Sequence, residues 1–361
     1  MKSVSNSSDL VTILIPCLNE EKYILNCLRA VIGFNLPAGM QTEVLVLDGM
    51  SSDRTRLLIA QVSQEDARVR CIENPGRIQS KAINLGVSLA GGEWILRLDA
   101  HTVYPPDYLE KNIETAIRTG AANVGGLWVT KAGSQSYGAE IVQALTTHRF
   151  GVGDSPFRTA RGEGPVDTVP FGLFRRSLFT EVGYFDERLA RMEDYEFNSR
   201  LRVSGHTVWL NPAIQCSYYN QPSFGAFLHK QFFHEAPYNV YLWYLAPYAF
   251  AIRHAITAAF VAGIVSGCIF APFLPLIRWV FAAIACLYIT LAIVASLQQS
   301  LRYRRAMHFF TLPFSFFSFH FIHGLGMWWG GIMLLCGKAP VQKKQPAWPG
   351  ATFFRWKSHS V

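Results

Sequence analysis

The last 126 residues of this chain contain no aspartate and no glutamate. All 25 acidic residues fall before residue 236, together with 23 of the 33 Lys and Arg, and the other 10 basic residues stand unopposed in 236–361. A soluble basic domain rarely lacks every carboxylate over such a length, whereas a membrane part with basic flanks often does. The seven cysteines (Cys17, Cys27, Cys71, Cys216, Cys268, Cys286 and Cys336) include no CxxC pair. Their scatter and odd number argue against a disulfide framework or a zinc site, and fit a reduced compartment for the N-terminal part. Neither GxGxxG nor GxxxxGKS/T occurs, which disfavours a dinucleotide dehydrogenase and a P-loop kinase. The start of the chain, MKSVSNSSDLVTILIPCLNEE, has no signal-peptide pattern: Leu10 to Ile15 is too short for an h-region and leads into a polar turn. The N-terminal part is therefore expected in the cytosol.

What is present divides in two. The 361 residues are 50% hydrophobic, enough for a sizeable core and two or three structural units. Over residues 10–130, short apolar strands alternate with amphipathic helices: LVTILI, EVLVLD, RVRCI and WILRLD each precede a helical pattern. Asn19 is placed to cap the first helix, with Glu20 and Glu21 in its first turn. This alternation predicts an α/β fold with a mostly parallel sheet and helices on both faces. Beyond residue 236, three long runs dominate: 256–277 and 279–297 carry no charge, and 309–337 is broken only by His320 and His323. Each is long enough to cross a hydrocarbon core of ~30 Å. YNVYLWYLAPYAFAI, rich in Tyr and Trp and interrupted by Pro247, suits an interfacial helix. The expected layout is an α/β domain at 1–235, an interfacial helix with two to three membrane helices at 236–337, and a basic aromatic tail at 338–361. The positive-inside rule puts Arg302, Arg304 and Arg305 in the cytosol, and leaves open whether 309–337 is a span or a re-entrant hairpin.

In such a sheet, ligands bind at the carboxyl ends of the strands. Four polar clusters fall there: PCLNEE after the first strand, Asp48 closing the second, NPGRIQSKAINLG after the third, and Asp99 with His101 closing the fourth. A nucleotide held by acids needs its phosphates neutralised, and a divalent cation does this. Asp99 and His101 are candidates to hold it, since Mn2+ accepts both oxygen and imidazole ligands. A second acidic centre, Glu193, Asp194 and Glu196, leads a helix with Phe197 and Leu201 as its apolar stripe, ending near Gly205. A carboxylate at a helix N-terminus stays ionised at neutral pH, as a general base must.

These segments, taken in order from VTILIPCLNEEKYI to EVGYFDERLARMEDYEFNSRL, resemble family 2 inverting glycosyltransferases of the GT-A fold. The resemblance covers about residues 10–235. LDAH in place of Asp-x-Asp, with a membrane part behind it, is most similar to enzymes of succinoglycan-type exopolysaccharide assembly. It implies a UDP-sugar donor, UDP-glucose being the expected one, and a divalent cation, Mn2+ or Mg2+. Pro16, Asn19 and Glu20 match the first loop that meets the nucleotide, Asp48 the acid that reads uracil, and Lys81 the segment at nucleotide and phosphates. Asp99 matches the first acid of Asp-x-Asp, and His101 replaces the second. Asp194 matches the catalytic base, and Glu193 its neighbour at the acceptor site.

The resemblance thus implies transfer of a sugar, with inversion, from UDP to a hydroxyl of a polyprenyl-diphosphate saccharide. The enzyme would sit in the inner membrane as a multi-pass protein with its catalytic domain cytoplasmic. Membrane lipid is an expected partner and nucleic acid is not. A processive synthase would carry Gln-x-x-Arg-Trp; here Gln231 is followed by His234 and Glu235 in those places, so only Gln231 is retained as a candidate acceptor-side residue. Two rivals remain: a polyprenyl-monophosphate glycosyl synthase, and a non-catalytic nucleotide-sugar-binding subunit of an export complex.

Overall fold

Val11, Ile13, Leu14, Ile15 and the run Val44 to Leu47 are buried completely or almost so. Strands apolar on both faces belong inside a sheet that is covered on both sides. The computed structural model, which describes residues 9–159 and 162–342, pairs these two runs in parallel, Leu10↔Gln41 through Cys17↔Asp48. In chain order the first elements are β1 (Leu10–Cys17), α1 (Ile24–Ile32), β2 (Gln41–Asp48), α2 (Thr55–Glu65), β3 (Val69–Glu73) and α3 (Gln79–Leu89). Next come β4 (Trp94–Arg97), β5 (Thr102–Val103), α4 (Tyr108–Thr119) and β6 (Asn123–Lys131). A helical insertion holds α5 (Tyr137–Thr146), α6 (Arg149–Val152) and α7 (Pro156–Thr159). The sheet resumes with β7 (Gly164–Pro165), β8 (Leu173–Arg175), α8 (Ser177–Glu181), α9 (Glu193–Val203) and β9 (Val208–Tyr219). The chain ends in α10 (Phe224–Lys230), α11 (Ala236–Leu245), α12 (Ile252–Phe270), α13 (Pro275–Tyr303) and α14 (Met307–Leu335).

The strands form one sheet in the order β3-β2-β1-β4-β8-β6-β9-β5, with β7 on β9. Its first four strands are parallel. β8 runs antiparallel to β4 and β6, and β9 to β5 and β7, so the sheet is mixed. Successive side chains of β1 point to opposite faces. Ile13 and Ile15 join the core with Ile24 and Leu28 of α1, Ile59 of α2 and Ile113 of α4. Leu14 faces the other way, where α3 comes so close that a Cβ on Gly86 would collide with it.

The contacts divide the chain differently from the expected boundary at 235. One compact unit is built from residues 9–129 and 162–218, the other from 130–159 and 219–342. The insertion belongs with the C-terminal helices because its partners are there. Glu140 pairs with Arg305 at 2.9 Å, Tyr137 Oη meets Thr311 at 2.7 Å, and Thr147 Oγ1 meets Tyr303 Oη at 2.8 Å. Beneath this polar seam, Ile141 and Leu145 pack with Leu312, Phe316 and Phe319. Three helices of this unit are long and apolar enough to cross a membrane. Trp279, Ile284, Leu287 and Phe314 are among their exposed side chains.

The 309–337 run is part of one continuous helix, α14, and not a hairpin. Its two histidines are satisfied within the bundle, His320 Nδ1 by Tyr288 Oη at 2.9 Å and His323 Nδ1 by Thr257 Oγ1 at 2.8 Å. Gly326 and Gly330 let α14 approach the backbone of Phe232 and Pro237, the small-residue packing that membrane helices use. α11 ends at Leu245, before Pro247, which has no N–H to continue it. Most of the expected 338–361 tail lies outside the described residues.

Helix α9 is anchored by a buried ion pair. Arg200 Nε donates to Glu196 Oε1 at 3.0 Å, and the same guanidinium donates to the carbonyls of Val182 and Tyr184 at 2.9 and 2.8 Å. Both side chains are almost fully buried. Removing one partner strands the other charge. Arg200→Met is therefore expected to cost roughly 3–5 kcal/mol, read as a lowered unfolding midpoint in detergent, with partial recovery in the Glu196→Gln/Arg200→Met double variant.

Candidate active site

From β1 the chain goes to β2 and β3 on one side and returns to β4 on the other. An open α/β sheet binds ligands at such a switch point, beyond the carboxyl ends of the strands. Here the two strands separate: β1 pairs with β4 only as far as Leu14↔Arg97, while its pairing with β2 continues to Cys17↔Asp48. Leu14 accepts from Leu98 N at 2.9 Å. Two residues on, Pro16 faces the same neighbour with no N–H to give, and the ladder ends.

The loop after β1 is tied to the loop after β2. Asn19 has φ 57° and is exposed. Its Oδ1 accepts from Ser52 N, and its N–H donates to Ser51 Oγ, both at 2.9 Å. Glu20 N donates to Thr55 Oγ1 at 2.8 Å. This corrects the expectation that Asn19 caps α1: the helix starts at Ile24, and the Asn19 side chain serves the neighbouring loop instead. Asp48 is fully buried at the end of β2. It accepts from Ser51 N at 3.1 Å and lies 3.6 Å from Arg56 Nε.

Across the opening, Asp99 Oδ1 accepts from Arg97 at 3.1 Å and from Gln79 Nε2 at 3.3 Å. The Asp99 N–H donates to Tyr104 Oη at 2.8 Å. His101 Nδ1 lies 3.1 Å from Glu20 Oε1, which joins the β1 and β4 loops. Glu193 and Asp194 open α9, directly after Met192 with φ 66°. Asp194 Oδ1 accepts from Tyr195 N at 2.7 Å.

Arg97, only 7% exposed, connects these groups. Burial works against its charge, but Asp99, Asp194 and Glu193, in that order, more than compensate, and its pKa stands above the ordinary arginine value. Thus Asp99 is bonded to this guanidinium, and the Glu193–Asp194 pair, remote in sequence, lies within reach of its charge. The sequence reading missed Arg97, along with Gln79, Tyr104, Ser51 and Arg56. The available signal for Arg97 was a charged residue inside the otherwise apolar run WILRL.

Two further candidates lie on other elements. Lys81 is half-buried on α3, its stem lying over Gly76. Gln231 belongs to the other unit, where it begins a short π-helix, Gln231–Glu235.

Among the described residues, no three His, Cys, Asp or Glu side chains gather as a metal-holding group. A cation at Asp99 and His101 would need its remaining ligands from a bound ligand or water. Glu20 at Nδ1 favours a proton there and puts the imidazole lone pair on Nε2, the arrangement typical of metal-binding histidines.

Known proteins resemble this chain in sequence and in fold. A family model described as Glycosyl transferase family 2 matches residues 12–183. The succinoglycan biosynthesis protein ExoA of Rhizobium meliloti is 33% identical over 225 residues, 61% of this chain and 66% of that protein. The dolichyl N-acetyl-alpha-D-glucosaminyl phosphate 3-beta-D-2,3-diacetamido-2,3-dideoxy-beta-D-glucuronosyltransferase of Methanococcus voltae is 31% identical over 228 residues, 61% of this chain and 70% of that protein. A mannosyltransferase of Pyrobaculum calidifontis, solved in complex with GDP-Man and Mn2+, has a TM-score of 0.57 at 17% identity, over 87% of this chain and 86% of that one. This last likeness is one of fold, and it bears out the α/β GT-A expectation.

Burial, and then Asp194, push the Glu193 carboxyl up from 4.5 to about 8, against the opposing pull of Arg97 and Arg191. Between those two pH values the folded chain holds a proton that the unfolded chain has lost, so this group lowers stability progressively as pH rises through that window. Glu193→Gln removes the effect. Its unfolding midpoint is expected to exceed that of the wild type at pH 8, by a gain on the order of a few kcal/mol that vanishes near pH 4.5.

Proposed function

The chain belongs to glycosyl transferase family 2, and from that premise we propose that it moves a sugar from a UDP-sugar, with inversion, to a hydroxyl of a polyprenyl-diphosphate saccharide in exopolysaccharide assembly. The observation that supports this reading is that Arg97, at the end of β4 beside the switch point, is bonded to Asp99 and acts through its charge on Glu193 and Asp194. In this reading an acid at a strand end and an acid at a helix N-terminus act on one substrate.

In this reading, Pro16, Asn19, Glu20, Asp48 and Lys81 belong to the donor side, with Asp48 reading the uracil. Asp99 and His101 would hold a divalent cation, Mn2+ or Mg2+, whose charge assists departure of the diphosphate. Asp194 takes the proton from the acceptor hydroxyl as its oxygen attacks the anomeric carbon from the face opposite the leaving group. Glu193, which holds its own proton through the neutral range, leaves the base role to its neighbour and lines the acceptor side. Gln231 is carried as an acceptor-side candidate.

The lipid-linked acceptor is supported by three helices long and apolar enough to span a membrane. The name of the Methanococcus voltae relative, which describes transfer to a dolichyl-linked sugar phosphate, is a second support. We place the protein in the inner membrane, with several passes and a cytoplasmic catalytic domain. The succinoglycan protein is the support for an exopolysaccharide role.

The test is incubation of membranes containing the full chain with labelled UDP-sugars and lipid-linked acceptors, with and without Mn2+. Single-sugar addition to a polyprenyl-diphosphate saccharide is expected. Product formed on polyprenyl phosphate alone would select the monophosphate synthase instead. Asp194→Asn is expected to lower turnover by roughly 10²–10⁴-fold while UDP binding persists. Unchanged turnover in that variant would remove Asp194 from the mechanism.

A further inference from the structure

Arg97 takes no part in the chemistry just described, yet it is bonded to one acid of that chemistry and acts through its charge on two more. It ends β4. One guanidinium nitrogen donates to Asp99 Oδ1 at 3.1 Å, and the guanidinium carbon lies 5.3 Å from the centroid of the Phe171 ring. Its charge also acts on Asp194, Glu193 and Tyr104. Arg191 is a second cation whose charge acts on Glu193. Arg97 Nε is buried and has no hydrogen-bond partner among the described residues. A buried donor left unmade costs about 1–3 kcal/mol, so this guanidinium is held where its own hydrogen bonding is incomplete.

We propose that Arg97 is a positioning residue that keeps the donor side and the base side of the site in register, holding Asp99 by a hydrogen bond and the Glu193–Asp194 pair by charge. The inference rests on Asp194 being the base. Without a cation among them, the strand end and the helix N-terminus would repel each other, and a misplacement of ~1 Å between reacting groups costs on the order of 100-fold in rate. A guanidinium is suited to the task because its planar fork addresses several carboxylates in fixed directions, which a lysine ammonium does only in part.

Kinetics of the purified full chain test this. Arg97→Met is expected to lower kcat by roughly 100-fold with donor KM little changed. Arg97→Lys is expected to restore part of kcat. If Arg97→Met, corrected for folded fraction, keeps the wild-type kcat, the proposal is overturned. If the wild-type chain itself transfers no sugar from any donor, the reading of Asp194 fails separately. A double-mutant cycle on unfolding midpoints then decides the Arg97 proposal. The loss caused by Arg97→Met should shrink when Asp194 is Asn, and independence of the two substitutions would refute the coupling.

Discussion

Everything in this site depends on a repulsion that has to be held in check. Asp99 is bonded to the Arg97 guanidinium, Glu193 and Asp194 lie within reach of its charge, and Arg97 and Glu193 are buried where water does little to screen them. Two devices oppose the repulsion: the positive charge of Arg97, and the proton that burial keeps on Glu193. A third device is mechanical. One turn into α9, the Glu196–Arg200 pair and its bonds to the Val182 and Tyr184 carbonyls fix the helix, so that its first turn cannot retreat from the strand end. The acids of the site are thus held by a second, purely structural pair of charges on the same helix.

The opening itself comes from sheet topology and from one residue that cannot donate. Reversal of strand order at β1 and β4 leaves their ends uncovered, and Pro16 stops the ladder between them. The loops that fill the gap are linked in a chain of contacts: Asn19 and Glu20 to Ser51, Ser52 and Thr55, then Glu20 to His101. Glu20 therefore does two things, linking the loops through its backbone and orienting an imidazole through its side chain. That is the physical content of His101 standing where a second acid would be expected: the carboxylate sits one step further out and fixes the tautomer of the ring.

Much of this was legible because its signals are local. Apolar runs that stop at Asp48 and Asp99 announce strand ends. Phe197 and Leu201, one helical turn apart, announce α9, and both are fully buried. What could not be read depends on partners far away in the chain. Asn19 has the chemistry of a helix cap, but a better-placed backbone N–H, that of Ser52, takes its side chain. Residues 130–159 look like part of the first domain because they follow one of its strands, yet the groups that satisfy Glu140, Tyr137 and Thr147 stand on α13 and α14 or between them. The polar breaks in 309–337 suggest a hairpin until Tyr288 and Thr257 are found opposite the two histidines. Arg97 escaped for a related reason: periodicity tells that a strand position is buried, and says nothing of the charges assembled around it.

The charge balance of the site argues for why these departures occur together. A diphosphate brings more than one negative charge to whatever holds it, and each carboxylate already at the opening raises the cost of its approach. Replacing the second acid by His101 removes one fixed negative charge. Protonation of Glu193 removes another near neutrality, and Arg97 offsets a third. What remains is a site less negative than its sequence suggests. The imidazole, the proton on Glu193 and the guanidinium are in this sense three solutions to one electrostatic problem. Restoring a carboxylate at position 101 would therefore be felt by the other two.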